Sequence, residues 1–574
     1  MAFQVSPGVQ VKEIDLTNVV PAVSTSIGGY AGAFSWGPVE EVRTVGSEKE
    51  LAAVFGVPPK TDAAVSQSFL TAASFLKYGN TLKVVRAAAE TTYKNATTGF
   101  EAVSGLQIKN RDDYEANYAA NSNTVGVYGA KYPGTLGNSL AVSVCPAGIA
   151  DFASWEYSGE FTSKPSTSPF AANAGSTNDE IHIVVVDVGG LWSGTPGTVL
   201  EKFEFVSQAS DAVKEDGTSN YYKTVLNNTS AYVWHLAHDT DSGHLEEAGT
   251  SAYTLAGAYS GAAVLDYTFA GGTDIAVTSS HVVTALDMFA DADTVDVNLL
   301  FGGVDADGET AIAGKLTALA EARKDVLVFL SPPVSATVGS ATPADDVKAW
   351  AALVQATTYG NSSYGVLDST ALKVYDKYSD VYRWIPACGH MAGLCANTDQ
   401  VADAWFSPAG FNRGQLLGVT KLAHNPKQAD RDSLYKVSIN PIVSFPGQGT
   451  VLFGDKTSLV KPSAFDRINV RRLFIVLEKS ISTAAKFQLF EFNDEFTRAM
   501  FRNMVEPFLR DVQGRRGITD FLVVCDTTNN TPQVVDSNEF RAEIYIKPAR
   551  SINFITLSFI ATRTGVQFSE LVGK

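Results

Sequence analysis

The spacing of apolar and polar positions changes several times along this chain, and each change marks an element. Near the start, Val9 and Val11 alternate with Gln10 and Lys12. Ile14 and Leu16 resume the alternation out of phase, which places a bulge or break after Glu13. The pattern predicts an extended arm over residues 1–22, opened by Pro7-Gly8 and closed by Pro21. A lone strand does not stay folded, so the arm must join a sheet of its own chain or of a neighbour. Residues 24–34 read as a small-residue strand. Ser47, with Glu50 three positions on, opens a helix over 47–55 that Gly56 ends. Val65, Phe69, Ala72, Ala73 and Leu76 place a longer helix over 63–78, and 81–86 is the strand after it.

From 91 to 180 Asn, Ser, Thr, Gly and Tyr dominate, with short alternating runs such as 140–145. This predicts an inserted β-rich domain with long surface loops. Over 181–340 the apolar runs 181–188 and 326–330 read as buried strands, 203–207 as another strand, and 221–227 and 311–322 as helices. A helix leading into a buried strand suggests an α/β layer. A helix over 345–357, strands at 365–367 and 372–375, and a small-residue helix over 384–396 continue that theme.

The C-terminal block has the clearest pattern. Residues 434–439 alternate as a strand, 447–449 turn, and 450–454 return. Ser463 with Asp466 opens a helix whose stripe is Val470, Leu473, Phe474, Leu477 and Ile481, with Arg471, Arg472, Glu478 and Lys479 on the other side. Asn493 is the expected cap of a second helix, with Phe496, Met500, Phe501, Met504, Val505 and Phe508 at helical spacing. Arg498, Arg502 and Arg510 share its opposite side, and Pro507 is expected to kink or shorten its last turn. Ala542, Ile544 and Ile546 then point inward while Glu543, Tyr545 and Lys547 point outward. Residues 552–561 are apolar on both faces, and 562–574 form a second candidate arm.

Charge sharpens this picture. The net charge is −17, yet residues 421–516 hold 16 Lys/Arg against 10 Asp/Glu. Between Lys223 and Lys315 there are 13 Asp/Glu and no Lys or Arg. An acidic surface with one basic region suggests a face for an acidic partner. Two readings stand for the arginines of 467–510, a solvated helix face and an attachment face. The bases are mixed with acids on amphipathic helices, which argues against nucleic acid. Four scattered cysteines are too few for a disulfide framework and suit a reducing compartment. There is neither a signal-peptide pattern nor an apolar run long enough to cross a bilayer.

Candidate chemistry is sparse. Cys388, His390 and Cys395 match no zinc spacing and read as a buried helix. Asp305, Asp307 and Glu309 lack the order of a calcium loop, and Gly271-Gly272-Thr273-Asp274 reads as a tight turn ahead of an anion nest. With no phosphate loop, dinucleotide fingerprint or nucleophile elbow, no catalytic residue, metal or cofactor is assigned.

Several stretches carry a resemblance. They are SPGVQVKEID at 6–15, SPAGFNRG at 407–414, LYKVSINPIVSFPGQGTVLFGDKT at 434–457, INVRRLF from 468, FEFNDEFTR ending at 498, and IYIKPARSINFITLSFIATRTGV at 544–566. Together they resemble the tail sheath proteins of contractile-tailed bacteriophages, above all the T4-like myovirus branch. The likeness is dense over the first 90 residues and from about 320 onward, and loose between. It implies a mixed α/β multidomain sheath fold, without enzymatic activity, that stacks as hexameric rings around a tail tube and contracts to drive it through the host envelope. Its implied partners are further copies, the tube, the baseplate and the tail terminator, with no nucleic acid and no membrane insertion, in a virion assembled in the host cytoplasm. Mapped here, it implies arms at 1–22 and 562–574 and a middle domain from 23–90 with 341–425. Inserted outer domains fall at 91–180 and 181–340, and an inner domain at 426–561. Val9, Val11, Ile14, Leu16, Val566 and Phe568 would exchange strands between subunits. Lys479, Arg498, Arg502 and Arg510 are the expected tube contacts, chosen by helix-face position. The alternatives are a sheath of a non-phage injection system and a polysaccharide-binding protein using 91–180.

Overall fold

The computed structural model describes residues 24–88, 93–98, 106–119, 126–238, 263–302 and 310–553. Both proposed arms, with Val9, Val11, Ile14, Leu16, Val566 and Phe568, lie outside them, as do Asp305, Asp307 and Glu309. The described residues fall into two compact units, 24–404 with 408–479, and 405–407 with 480–553. The boundary lies within the helix Ile468–Ala485, after Lys479.

The larger unit is built on a seven-stranded sheet. Its order is Ile439–Asn440, Gly365–Asp368, Leu327–Leu330, Leu299–Gly302, Gly28–Gly32, Leu82–Arg86 and Arg43–Val45, parallel except for the last. Parallel strands covered on both faces read as continuous apolar runs, which is why Leu327–Leu330 was visible in the pattern. Helices Ala63–Phe75 and Cys388–Val401 cover one face, and Ser279–Leu286 and Ala311–Arg323 the other. The central strand is glycine-rich because the helix lies so close: a Cβ on Gly32 would sit 2.1 Å from Ser68 Oγ. Tyr30 fills the remaining space, stacking on Phe301 and hydrogen-bonding Ser68 at 2.9 Å.

This sheet redraws the expected domain map. Leu299–Gly302 and Leu327–Leu330, assigned by pattern to an outer section ending at 340, pair beside Gly28–Gly32 in the central sheet. Ile439–Asn440, assigned to the inner domain, closes the same sheet. The division at 180/181 also falls inside one strand. A single antiparallel sheet runs Thr198–Ser207, Glu180–Asp187, Leu140–Pro146 and Leu265–Thr268 and uses both inserted sections. Its core receives Trp36, packed edge-on against Tyr132 and Trp192. Pairing between strands hundreds of residues apart leaves no mark on local periodicity.

Two elements change type. Residues 434–439 end a helix, Gln428–Lys436, before Ser438 turns with φ +65° into Ile439–Asn440. The expected helix over 384–396 is the end of the strand Val381–Ile385, then Pro386, then the helix Cys388–Val401. Proline is the physical divider there. In that helix His390 Nδ1 lies 3.0 Å from Tyr78 Oη, and Cys388 Sγ donates to the Gly302 carbonyl at 2.7 Å. Among the described residues no group of three His, Cys, Asp or Glu could hold a metal, and no helix is long and apolar enough to cross a membrane.

In the smaller unit the helix Glu495–Gly514 packs on the two-stranded sheet Ile518–Val524 with Glu543–Pro548. Asp494, one residue after the expected Asn493, caps it by accepting from Thr497 N at 2.8 Å. Pro507 does not end it. Both Pro507 and Asn503, whose carbonyl loses its helical partner, are exposed, so the free acceptor faces solvent while buried Leu509 and Val512 hold the last turns. Residues 542–547 alternate half-buried and exposed as their sequence pattern predicts.

Candidate assembly surface

The helix Ile468–Ala485 buries two of the residues expected on its outer side. Arg472 follows Ile468 by four positions and precedes Ile475 by three, so it shares their inward face. Its guanidinium is bidentate to Asp399, with both N–O distances 2.7 Å. It also donates to the carbonyls of Cys395 and Thr25 at 3.2 Å each. Thr25 Oγ1 in turn donates to Asp399 at 2.7 Å. Burial works against the Arg472 charge, and the Asp399 carboxylate more than offsets it. The pair therefore pins the backbone where the proposed N-terminal arm joins the core.

Arg471 lies between two rings, 4.2 Å from the Tyr364 centroid and 4.1 Å from that of Phe465. Arg467 donates to Tyr435 Oη at 2.8 Å and stands 3.6 Å from Asp455. Lys479, an expected tube contact, is ion-paired with Asp296. Much of the basic excess in 421–516 is thus spent inside the larger unit. The signal for this was the i, i+4, i+7 spacing of 468, 472 and 475, masked by the assumption that arginine faces water.

The smaller unit treats its arginines differently. Arg498 donates to Asn493 Oδ1 at 2.8 Å and to the Asn493 carbonyl at 3.0 Å, locking the chain entering the helix. Arg498 and Arg502, four residues apart on the helix, both act on the charge at Cys525: burial pushes that thiol up, and the two guanidinium groups offset part of the shift. Arg510 is exposed and has no ion-pair partner among the described residues. The structure thus brings Arg498 and Arg502 together, while Arg510 stands apart from them and Lys479 belongs to the larger unit.

Two further surfaces stand out in this unit. Among the described residues the sheet Ile518–Val524 with Glu543–Pro548 has two strands, and no third described strand pairs with either edge. Ahead of the helix, residues 487–496 hold five strongly exposed large apolar side chains. Periodicity missed them because Phe496 falls at a helical interval from Met500 and looks like part of the buried stripe.

Family models match three successive segments: the Gp18 domain III N-terminal region of tail sheath protein at 25–87, the phage tail sheath central domain at 276–458, and the phage tail sheath C-terminal domain at 460–562. The central sheet draws its strands from the first two. The tail sheath protein of Vibrio phage KVP40 is 34% identical over 680 aligned positions, covering 99% of each chain. That of Enterobacteria phage T4 is 34% identical over 660, again covering 99% of each. The fold is similar to the sheath tail protein of Listeria innocua, with TM-score 0.54 at 14% identity over 93% of this chain and 97% of that one. It is also similar to the anti-feeding prophage helical sheath in its contracted state, with TM-score 0.50 at 13% identity over 98% and 100%.

Proposed function

The chain belongs to the tail sheath proteins of contractile-tailed phages, and from that premise we propose how it assembles and acts. Subunits stack as hexameric rings around a tail tube, between a baseplate and a tail terminator. Contraction repacks the subunits and drives the tube through the host envelope for genome ejection. The energy is conformational free energy stored in two alternative sets of interfaces, so the protein works as a structural element, without cofactor or catalysis. It acts in the virion tail after assembly in the host cytoplasm.

The observation that carries this reading is the two-stranded sheet of the smaller unit. A sheet of two strands is marginal alone and its open edges accept further strands. Arms 1–22 and 562–574 from neighbouring subunits complete it, with Val9, Val11, Ile14, Leu16, Val566 and Phe568 as the strand-exchange positions. Such pairing survives rotation of the subunits, while charged contacts with the tube are exchanged. Among Lys479, Arg498, Arg502 and Arg510, Arg510 has the least internal engagement and is the leading tube contact.

The test is deletion of residues 1–22. The truncated chain should stay folded by circular dichroism yet form no long sheaths in electron micrographs. Normal sheaths from it would overturn the strand-exchange reading.

A further inference from the structure

A cleft of about 410 Å³ opens in the inserted part of the larger unit, beside the helices Arg111–Asn117 and Tyr222–Thr229. That volume falls in the range of about 300–1,000 Å³ common to small-molecule sites. The cleft lies between the family-matched segments, which end at 87 and resume at 276. The modules shared across the family therefore do not account for it.

Its floor is rigid. Tyr114 stacks on Trp234 with ring centroids 4.2 Å apart and planes 4° apart. Asn227 Nδ2 donates to Tyr114 Oη at 2.7 Å, and Tyr114 Oη donates to the His235 carbonyl at 3.0 Å. Trp234 Nε1 donates to the Lys131 carbonyl at 2.9 Å. Tyr114 and Trp234 are 4% and 1% exposed, so neither offers an open face on which a nucleic-acid base could stack.

The rim is polar. Ser210, Thr224 and Asn228 bring hydroxyl and amide groups that both donate and accept, as sugar hydroxyls do, and an apolar ligand would leave them unsatisfied. The charged groups among the described lining residues are Arg111, Lys223 and Glu115. Arg111 Nε takes up Glu115 at 2.7 Å and its Nη2 donates to Asn228 Oδ1 at 2.8 Å, while Nη1 makes no hydrogen bond among the described residues. Lys223 Nζ donates to the Ala119 carbonyl at 3.2 Å, one of the three donors it carries. His238, bonded to Tyr222 Oη at 2.8 Å and Tyr221 Oη at 3.2 Å, is pushed down to about 4 by burial and then by the Lys223 charge, so it is neutral at pH 7. The balance of charge facing the cleft is positive, one guanidinium and one ammonium against one carboxylate already paired.

We propose that this cleft binds a saccharide bearing a carboxylate, with Arg111 and Lys223 on the carboxylate and Ser210, Thr224 and Asn228 on the ring hydroxyls. The site is complete within one subunit. It adds a binding capability to a sheath protein and stands apart from the assembly reading.

The experiment is saturation-transfer difference NMR on the full-length chain with glucuronate, galacturonate and N-acetylneuraminate, set against glucose at equal ionic strength. At least one acidic sugar should bind with a dissociation constant below about 10 mM. Glucose should bind about tenfold more weakly, the effect of one lost charge-assisted hydrogen bond. Arg111→Met, at an exposed position, and Lys223→Met should each weaken the acidic sugar by about the same tenfold factor while circular dichroism stays that of the folded chain. Lys223→Arg, which keeps the charge, should retain more binding than Lys223→Met. Absence of binding by all the acidic sugars, or binding that both Met variants leave intact, overturns the proposal. Displacement of the sugar by equimolar acetate also overturns it, because the cleft would then be capturing a carboxylate alone.

Discussion

The helices Ile468–Ala485 and Glu495–Gly514 look alike as sequences and behave as opposites. Each has an apolar stripe and several arginines. In the first, Arg471 and Arg472 are buried, Arg471 between the rings of Tyr364 and Phe465 and Arg472 on Asp399. In the second, Arg498 and Arg502 flank the buried stripe and Arg510 faces water. The difference lies in what surrounds them. The first helix meets the central sheet layer, where Asp399 and two aromatic rings make burial of a guanidinium affordable. The second packs on a sheet of two strands that cannot enclose it. A basic helix in a sheath subunit can therefore be an internal strut or an outward surface.

The largest expected effect tests the strut. Arg472→Ala leaves Asp399 buried without its partner and should destabilise the subunit by about 3–5 kcal/mol in denaturant unfolding. A cost below about 1 kcal/mol would mean the pair contributes no more than a surface ion pair. Replacing both partners together, Arg472→Met with Asp399→Leu, should recover most of the loss.

A second buried acid in the larger unit sharpens the contrast. Asp368 has no basic partner among the described residues; Ser331 and the backbone N–H of Thr370 are its hydrogen-bond donors. Burial pushes its carboxyl up to about 7, and those hydrogen bonds offset only part of the shift. A carboxyl raised on folding binds its proton more tightly in the native state. Its contribution is therefore full below the unfolded value near 4 and is lost as pH rises toward 7. Stability should fall over that window by up to about 1.4 kcal/mol per pH unit from this group. Asp368→Asn should flatten the profile, and an unchanged slope in unfolding measured at pH 5 and 7.5 would remove Asp368 as its cause.

Smaller effects belong to the outer helix. Arg498→Ala should cost about 1 kcal/mol, the size expected for lost hydrogen bonds at a partly exposed site. Arg510→Glu should leave subunit stability within about 0.5 kcal/mol while reducing the fraction of purified tubes that carry sheath. Undiminished mounting would remove Arg510 from the tube contacts.

Much of this was legible before the fold. Ser47 accepts from Glu50 N as its spacing implies, Leu327–Leu330 is a fully buried strand, and the alternation at 542–547 is real. Family membership was written in short, ordered motifs. Arg472 was misread because its neighbours Arg471 and Leu473 draw attention from Ile468 and Ile475, which share its face. The helix cap moved by one residue because Asn493 and Asp494 are both competent, and Arg498 claims Asn493.

By itself the sequence determined most of the local elements, the acidic stretches and the family. These rest on interactions within a few residues, or on identities that need no fold to read. Only the tertiary structure decided which strands share the central sheet, that one inserted sheet joins two sections, and which arginines are consumed within a unit. Those outcomes depend on pairings across tens to hundreds of residues, as between Gly28–Gly32 and Leu299–Gly302 or between Arg472 and Asp399. The same holds for the apolar side chains of 487–496, whose exposure depends on what the rest of their unit leaves uncovered.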